Sequence, residues 1–262
     1  MDLDLTGKHA LVCGGSAGIG RAAAIELALL GADVTLLARN RETLQSATAL
    51  LPRNALGQRH EWIEADVSAH DALAHAVQSL ANTRPVHILV NNTGGPPGGR
   101  AIDADAAAYL DAFQKHLLAN QTLAQSVLSG MQAAKWGRIV NVISTSVKEP
   151  IANLGVSNSI RGAVASWAKT LSRELGPLGI TVNNVLPGYT RTQRLEQILD
   201  DRSASSGKTR DAVASGMLST VPVGRFAKAD EIAAAIAFLA SPAAAYINGV
   251  SLAVDGGRMQ SI

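Results

Sequence analysis

Cysteine is almost absent: Cys13 is the single one in 262 residues. That excludes a disulfide framework and any cysteine-rich metal site. No histidine pair or carboxylate cluster has metal-ligand spacing either, so no metal is expected. Charge of one sign is also lacking. The 23 basic and 21 acidic side chains leave a formal charge of +2, which gives no reason to expect nucleic acid as a partner. Long apolar runs are missing. The most apolar stretch, Ile232–Ala240, lies between Glu231 and Pro242, whereas a membrane span needs about 20 residues. The opening Met1-Asp2-Leu3-Asp4-Leu5-Thr6-Gly7-Lys8 is acidic and has no apolar core, unlike a signal peptide. The expectation is a soluble, cytoplasmic protein without a membrane partner.

Burial capacity is plentiful. The chain is 47% hydrophobic, enough to offset the entropy of ordering, which argues against disorder. Its length suits one large α/β domain or two small ones. Short β-rich runs alternate with longer Ala/Leu-rich stretches. The runs are Ala10–Cys13, the segment following Gly31 to Leu37, Trp62-Ile63, Val86–Val90, Arg138–Ile143, Ile180–Val182 and Val250–Val254. Near-continuous apolar runs mark strands buried on both faces of a parallel sheet. Helical stretches such as Arg21–Leu30 and Asp71–Leu80 lie between them, and Ser68-Ala69-His70-Asp71 has the spacing of a capping box. The stripe Val156, Ile160, Val164, Trp167, Leu171 and Leu175 predicts a helix whose apolar face is core. Seven strands interleaved with helices predict an α/β fold: a Rossmann-type, doubly wound, seven-stranded parallel sheet with helices on both faces. No long linker interrupts it, so residues 1–262 are read as a single domain. Residues 189–222 break the rhythm. They carry a polar run from Asp200 to Gly207 before a helix-like piece, Arg210–Thr220, and are read as a substrate lid over the carboxyl edge of the sheet.

Cys13-Gly14-Gly15-Ser16-Ala17-Gly18-Ile19-Gly20 follows the first strand and opens the first helix. Glycines there allow a tight turn and the close approach of a pyrophosphate, and the helix N-terminus offers free N–H groups to it. The expected cofactor is therefore a dinucleotide. The second strand ends Leu36-Leu37-Ala38-Arg39-Asn40-Arg41 with no acid to take a free ribose 2′-hydroxyl. Arg39 suits a 2′-phosphate instead, so NADP(H) is expected and NAD(H) disfavoured.

Taken together, these motifs resemble the short-chain dehydrogenase/reductase family over nearly the whole chain. The turn at residues 13–20 is similar to the family's glycine turn, with Cys13 in its threonine position. Asp66-Val67 resembles the pair that contacts adenine. Asn91-Asn92-Thr93-Gly94 resembles the Asn-Asn-Ala-Gly motif. Gly137–Ser144 resembles the fifth strand, which ends in the catalytic serine. Pro187–Thr192 resembles the Pro-Gly segment whose threonine meets the nicotinamide, and Val254-Asp255-Gly256-Gly257 the C-terminal signature. The resemblance implies cofactor contacts at Gly14, Ser16, Gly18, Ile19, Gly20, Asp66, Val67, Asn91, Asn92, Gly94, Pro187, Gly188 and Thr192. It also implies a small carbonyl or alcohol substrate and assembly as a homodimer or homotetramer.

The catalytic Tyr-x-x-x-Lys of the family is missing. At its spacing after Ser144 stand Ser157 and Arg161, and none of the tyrosines 109, 189 and 246 is followed four residues later by lysine. His116 falls where many members carry a catalytic asparagine, with Asn120 a weaker candidate one turn on. Phenol has a pKa of about 10, and a nearby lysine lowers it toward the working range. A serine hydroxyl is shorter and far less acidic. Arginine keeps the positive charge but does not relay protons. The overall pattern is similar to 3-oxoacyl-(acyl-carrier-protein) reductase-like members. Three readings stay open at this point. In a rebuilt oxidoreductase, Ser144, Ser157 and Arg161 would bind the substrate oxygen, and water, His116 or Lys148 would supply the proton. The others are a nucleotide-binding sensor or scaffold without turnover, and different chemistry on the same fold.

Overall fold

The computed structural model describes residues 1–261. Seven strands form one sheet in the order β3-β2-β1-β4-β5-β6-β7, with every neighbouring pair parallel. They are β1 His9–Cys13, β2 Asp33–Ala38, β3 His60–Glu64, β4 Ile88–Asn91, β5 Gly137–Val142, β6 Ile180–Pro187 and β7 Ser251–Val254. The helices are α1 Gly18–Leu29, α2 Arg41–Ala49, α3 His70–Thr83, α4 Ala106–Phe113, α5 Ala119–Ala134, α6 Gly155–Leu175, α7 Gln193–Ser206, α8 Arg210–Leu218 and α9 Ala229–Ala240. Among the described residues no helix is long and apolar enough to cross a membrane.

Alternation along each strand divides the interior into two cores. Ala10, Val12, Val34, Leu36, Ile88, Val90 and Val140 pack toward α1, α2 and α9. Leu11, Cys13, Leu37, Leu89, Ile139 and Val182 pack toward α3, α5 and α6. Both faces are covered, which is why the strands read as continuous apolar runs rather than alternating ones. Cys13 belongs to the second core, and burial pushes its thiol pKa up to about 12, so it is a small packing residue.

One polar rung crosses this apolar sheet. Asn91 Nδ2 donates to Asn141 Oδ1 at 2.8 Å, Asn141 Nδ2 to Asn184 Oδ1 at 3.0 Å, and Asn184 Nδ2 to Ser251 Oγ at 3.1 Å. The register aligns these four residues as direct neighbours across β4, β5, β6 and β7. Buried amides are costly to leave unpaired, so the rung ties the register of four strands.

One local expectation fails. Ser68 does not cap α3, whose first flanking residue is Ala69 with no side-chain cap. Instead Asp66 Oδ1 accepts from the Ser68 amide at 2.9 Å and from its hydroxyl at 2.7 Å. The turn at Asp66 takes the serine before the helix can. The polar run from Asp200 to Ser206 lies within α7, because Leu195, Ile198 and Leu199 give that helix an apolar face despite its polar sequence. Gly207, at φ +68°, closes that helix.

Leu36 is fully buried between the sheet and α1, whereas Leu56 is fully exposed. Leu36→Ala should lower unfolding free energy by about 2–5 kcal/mol, and Leu56→Ala by less than about 0.5 kcal/mol. Urea denaturation of both variants measures the contrast.

Candidate active site

The strand order reverses between β1 and β4, and a parallel sheet opens a crevice at such a point beyond the strand ends. The turn after β1 and the segment after β4 meet there. Gly14 has φ +65°, and a Cβ on it would lie 2.0 Å from the Asn92 carbonyl oxygen. A Cβ on Gly20 would lie 2.1 Å from the Gly14 carbonyl oxygen. Only glycines let α1 begin this close to the two strands. No side chain caps α1, so its first N–H groups remain available to an anion. The helix end, the bare backbone and the adjoining cleft fit a dinucleotide pyrophosphate.

The cleft encloses about 400 Å³. Of the residues expected to hold a cofactor, Gly14, Gly18, Ile19, Asn92, Gly94, Pro187, Gly188 and Thr192 line it. Gly20 packs beneath Gly14 rather than facing the cleft, and Ser16 is half-buried beside it. Arg39, Asp66 and Val67 stand at the ends of β2 and β3, outside the cleft lining. Arg39 is exposed. The Asp66 carboxyl is held below the usual range chiefly by its bonds from Ser68, with a smaller contribution from the Arg39 charge. Asn91 does not reach the cleft, because its amide is engaged in the sheet rung.

Of the residues expected to be catalytic, only Arg161 lines the cleft. Its Nη1 donates to the carbonyls of Val142 and Ile143 at 3.2 and 3.0 Å, and its Nε to Ser157 Oγ at 3.3 Å. Positions 157 and 161 share a face of α6, one turn apart. Burial, and then the charge of Arg194, lower the Arg161 pKa to about 10, so it stays charged at neutral pH. Ser157 is buried behind it. Ser144 is half-buried, and its Oγ accepts the Ser146 amide at 3.1 Å. Lys148 is exposed and outside the cleft.

His116 occupies a π-helical turn, Gln114–Leu118, between α4 and α5. It is only 4% exposed and does not face the cleft, so it cannot meet substrate directly. Thr93 stands between them: its Oγ1 is 2.6 Å from His116 Nδ1, and Thr93 itself lines the cleft. Burial, with help from the Arg161 charge, depresses the His116 pKa to about 3. An imidazolium acid at this position is therefore excluded at neutral pH.

Two of the lining residues not singled out as site residues from the sequence bear on its chemistry. One is Thr93, whose only signal was a hydroxyl where the resembled motif has alanine. The other is Arg194, which carried no signal in the sequence. Arg194 Nη2 donates to the Pro96 carbonyl at 2.8 Å, joining α7 to the loop after β4.

A glycine-bedded helix end at the switch point of a parallel sheet, beside a cleft holding a fixed positive charge, defines the class of nucleotide-dependent α/β oxidoreductases. Residues 14–258 match the family model described as enoyl-(acyl carrier protein) reductase. The chain is 32% identical over 263 residues to 3-oxoacyl-[acyl-carrier-protein] reductase FabG of Pseudomonas aeruginosa, covering 99% of this chain and 100% of that protein. It is 33% identical over 258 residues to FabG of Escherichia coli K12, covering 97% and 98%. L-sorbose reductase from Gluconobacter frateurii, solved with NADPH and L-sorbose, superposes with a TM-score of 0.92 at 28% identity over 100% of both chains. YwfH, an NADPH-dependent reductase involved in bacilysin biosynthesis, gives 0.91 at 28% identity over 97% and 99%. The chain belongs to the short-chain dehydrogenase/reductase family, as a 3-oxoacyl-(acyl-carrier-protein) reductase-like member.

His116 carries a stability consequence. Its folded pKa of about 3 lies below the ordinary 6.5, so below pH 6.5 the unfolded chain binds the extra proton first. Stability at this residue is full above pH 6.5 and falls as pH drops toward 3. The loss is about 2 kcal/mol at pH 5. His116→Gln should shrink the difference between urea unfolding energies at pH 7 and pH 5 by about that amount. An unchanged difference would mean that His116 is already charged or solvated.

Proposed function

We propose that this protein is an NADP(H)-dependent oxidoreductase that interconverts a carbonyl and an alcohol through a rebuilt proton-donor site. One observation carries the reading. Four of the residues that depart from the family pattern contact one another in pairs, Ser157 with Arg161 and Thr93 with His116, beside the glycine cradle. Loss of function without replacement would leave such positions free to drift separately.

The bound nucleotide supplies or accepts the hydride. This chain's residues have three tasks. The α1 N-terminus and the glycine turn hold the pyrophosphate, Thr192 the nicotinamide end, Asp66 and Val67 the adenine, and Arg39 the 2′-phosphate. Arg161 Nη2, the guanidinium nitrogen with no protein acceptor among its hydrogen bonds, stabilises negative charge developing on the substrate oxygen. The Thr93 hydroxyl donates the proton to that oxygen, and His116 Nδ1 replenishes it. A neutral imidazole relays a proton by exchanging tautomers, Nδ1 giving its hydrogen to Thr93 as Nε2 takes one from a water molecule, so the depressed pKa is compatible with this role. Ser157 and Ser144 position the end of β5 and Arg161.

Helices α7 and α8 act as the lid. Their own apolar cluster of Leu195, Leu199 and Met217 with Phe226 supports them apart from the two main cores. Arg210 pairs with Glu196 and Asp200 and so locks the two helices together. Assembly of two or four copies belongs to this reading: β7 is an edge strand with Leu252 partly exposed, and edge strands in native proteins are covered or blunted.

Calorimetric titration tests the cofactor. NADPH should bind more tightly than NADH. Arg39→Ala should weaken NADPH by about tenfold or more, through loss of charge-assisted bonds, while changing NADH less than about twofold. Equal effects on both would remove the phosphate assignment from Arg39.

Thr93→Val keeps the shape and removes the hydroxyl. Across a panel of ketones and oxo acids it should cut the rate of NADPH oxidation by about 100-fold or more and leave the NADPH dissociation constant unchanged. Wild-type binding without turnover on any substrate would favour the sensor reading. Full activity in the variant would remove the relay.

A further inference from the structure

Charge in the cleft is one-sided. Its lining includes two arginines, Arg161 and Arg194, and no aspartate or glutamate. Neither guanidinium takes part in an ion pair among the described residues. Both approach the same point. A Cβ on Gly95 would lie 3.4 Å from Arg161 Nη2, and 3.8 and 4.0 Å from Arg194 Nη2 and Nε. Arg194 Nε and Nη2 thus lie on the side of the spare nitrogen of Arg161, with one Nη2 hydrogen already donated to the Pro96 carbonyl at 2.8 Å, and Nε and the other Nη2 hydrogen are the pair that takes an oxyacid in two parallel bonds. Two unneutralised cations on the same side of Gly95 repel each other, and an anion between them would offset that repulsion.

Both arginines share the cleft with Gly14 and Gly18, and of the two only Arg194 extends beyond it. Arg194, with Tyr189 and Ile198, also lines a second cavity of about 520 Å³ that contains no residue of the glycine turn. This cavity runs outward between α7 and the loops at Pro97–Arg100 and Ile151–Leu154, and Arg202 lines its far side. Asp201 is the single acid on its wall.

The geometry points to a carbonyl substrate that carries an anionic oxyacid group, a carboxylate or a phosphate ester, with Arg194 as the residue that reads it and the second cavity holding the rest of the molecule. This rests on the reading above, because it names the substrate class of the same cleft. Arg194 sets specificity here; it is not the proton donor.

The test is calorimetry at low ionic strength, where charge recognition is least screened, on the protein alone and saturated with NADP⁺. The titrants are four- to eight-carbon 3-oxo acids, their methyl esters, and dihydroxyacetone phosphate. An anion of the set should bind at least about tenfold more tightly than the neutral esters. Arg194→Gln should reduce that preference to less than about twofold while leaving the NADP⁺ dissociation constant within about twofold. Arg194→Lys, which keeps the charge but not the fork, should retain part of it. A preference for the oxo acids identifies a carboxylate, and one for dihydroxyacetone phosphate a phosphate ester. Three results overturn the proposal: esters binding as well as acids or no anion binding, a preference that survives Arg194→Gln, and a loss of NADP⁺ affinity in that variant equal to its loss of anion affinity. Failure of the oxidoreductase reading is separate. It appears as absent NADP⁺ binding in the wild type, and the titration of the protein alone then still decides the anion.

Discussion

The cleft is organised by one guanidinium anchored to the carboxyl end of β5. Arg161 spends two of its nitrogens on protein, donating to the carbonyls of Val142 and Ile143 and to Ser157 Oγ. Those bonds fix where its third nitrogen points. Because arginine remains protonated, the site holds a permanent cation with no carboxylate beside it. Several other features follow. His116 is kept neutral in part by this charge. Ser157 Oγ accepts from Arg161, which orients the hydroxyl as a support of the cation. Arg194 faces a like charge across Gly95.

The pairing of departures explains how such a site forms without the usual tyrosine. A serine is too short to reach from the first turn of α6 into the cleft, and Ser157 is buried. The longer arginine, one turn on, occupies that space instead. Thr93 also lines the cleft, and its hydroxyl lies 2.6 Å from Nδ1 of the buried His116. The π-helical turn that carries His116 re-aims a side chain inside the otherwise continuous run from α4 to α5, a use to which such insertions are often put.

The parallel sheet and its glycine cradle were legible in the sequence because each leaves a local signature. Strands buried on both faces read as apolar runs, and close backbone approaches read as Gly14 and Gly20. The residues forming the cleft were legible in part. His116, Ser157 and Arg161 stood out as departures, yet periodicity cannot tell which of them faces solvent. His116 is turned away from the cleft, and Asn91 is drawn into the sheet by Asn141, a partner 50 residues away. Arg194 carried no signal, since a charged residue near the start of a polar helix reads as a solvated one. Its role depends on Pro96 and Arg161, which only the fold brings near. The helicity of α7 was hidden for a related reason: three apolar residues on one face outweigh a polar run when a partner helix covers them.

The two cations of the cleft are anchored to different parts of the fold. Arg161 is held by strand carbonyls that belong to the sheet, so its position is set by the two main cores. Arg194 sits at the start of α7, whose packing rests on a small separate cluster, and its link to the opposite wall is the bond to the Pro96 carbonyl. Regions with few buried contacts open at low free-energy cost. In the proposed lid, repulsion between the two guanidinium groups would oppose closure of α7 over an empty cleft, and an anion bridging them would favour it. The same two charges would then select the ligand and couple its arrival to exclusion of water. That coupling suits a proton donor as weak as a threonine hydroxyl, whose bond to a developing oxyanion strengthens as the surroundings become less polar.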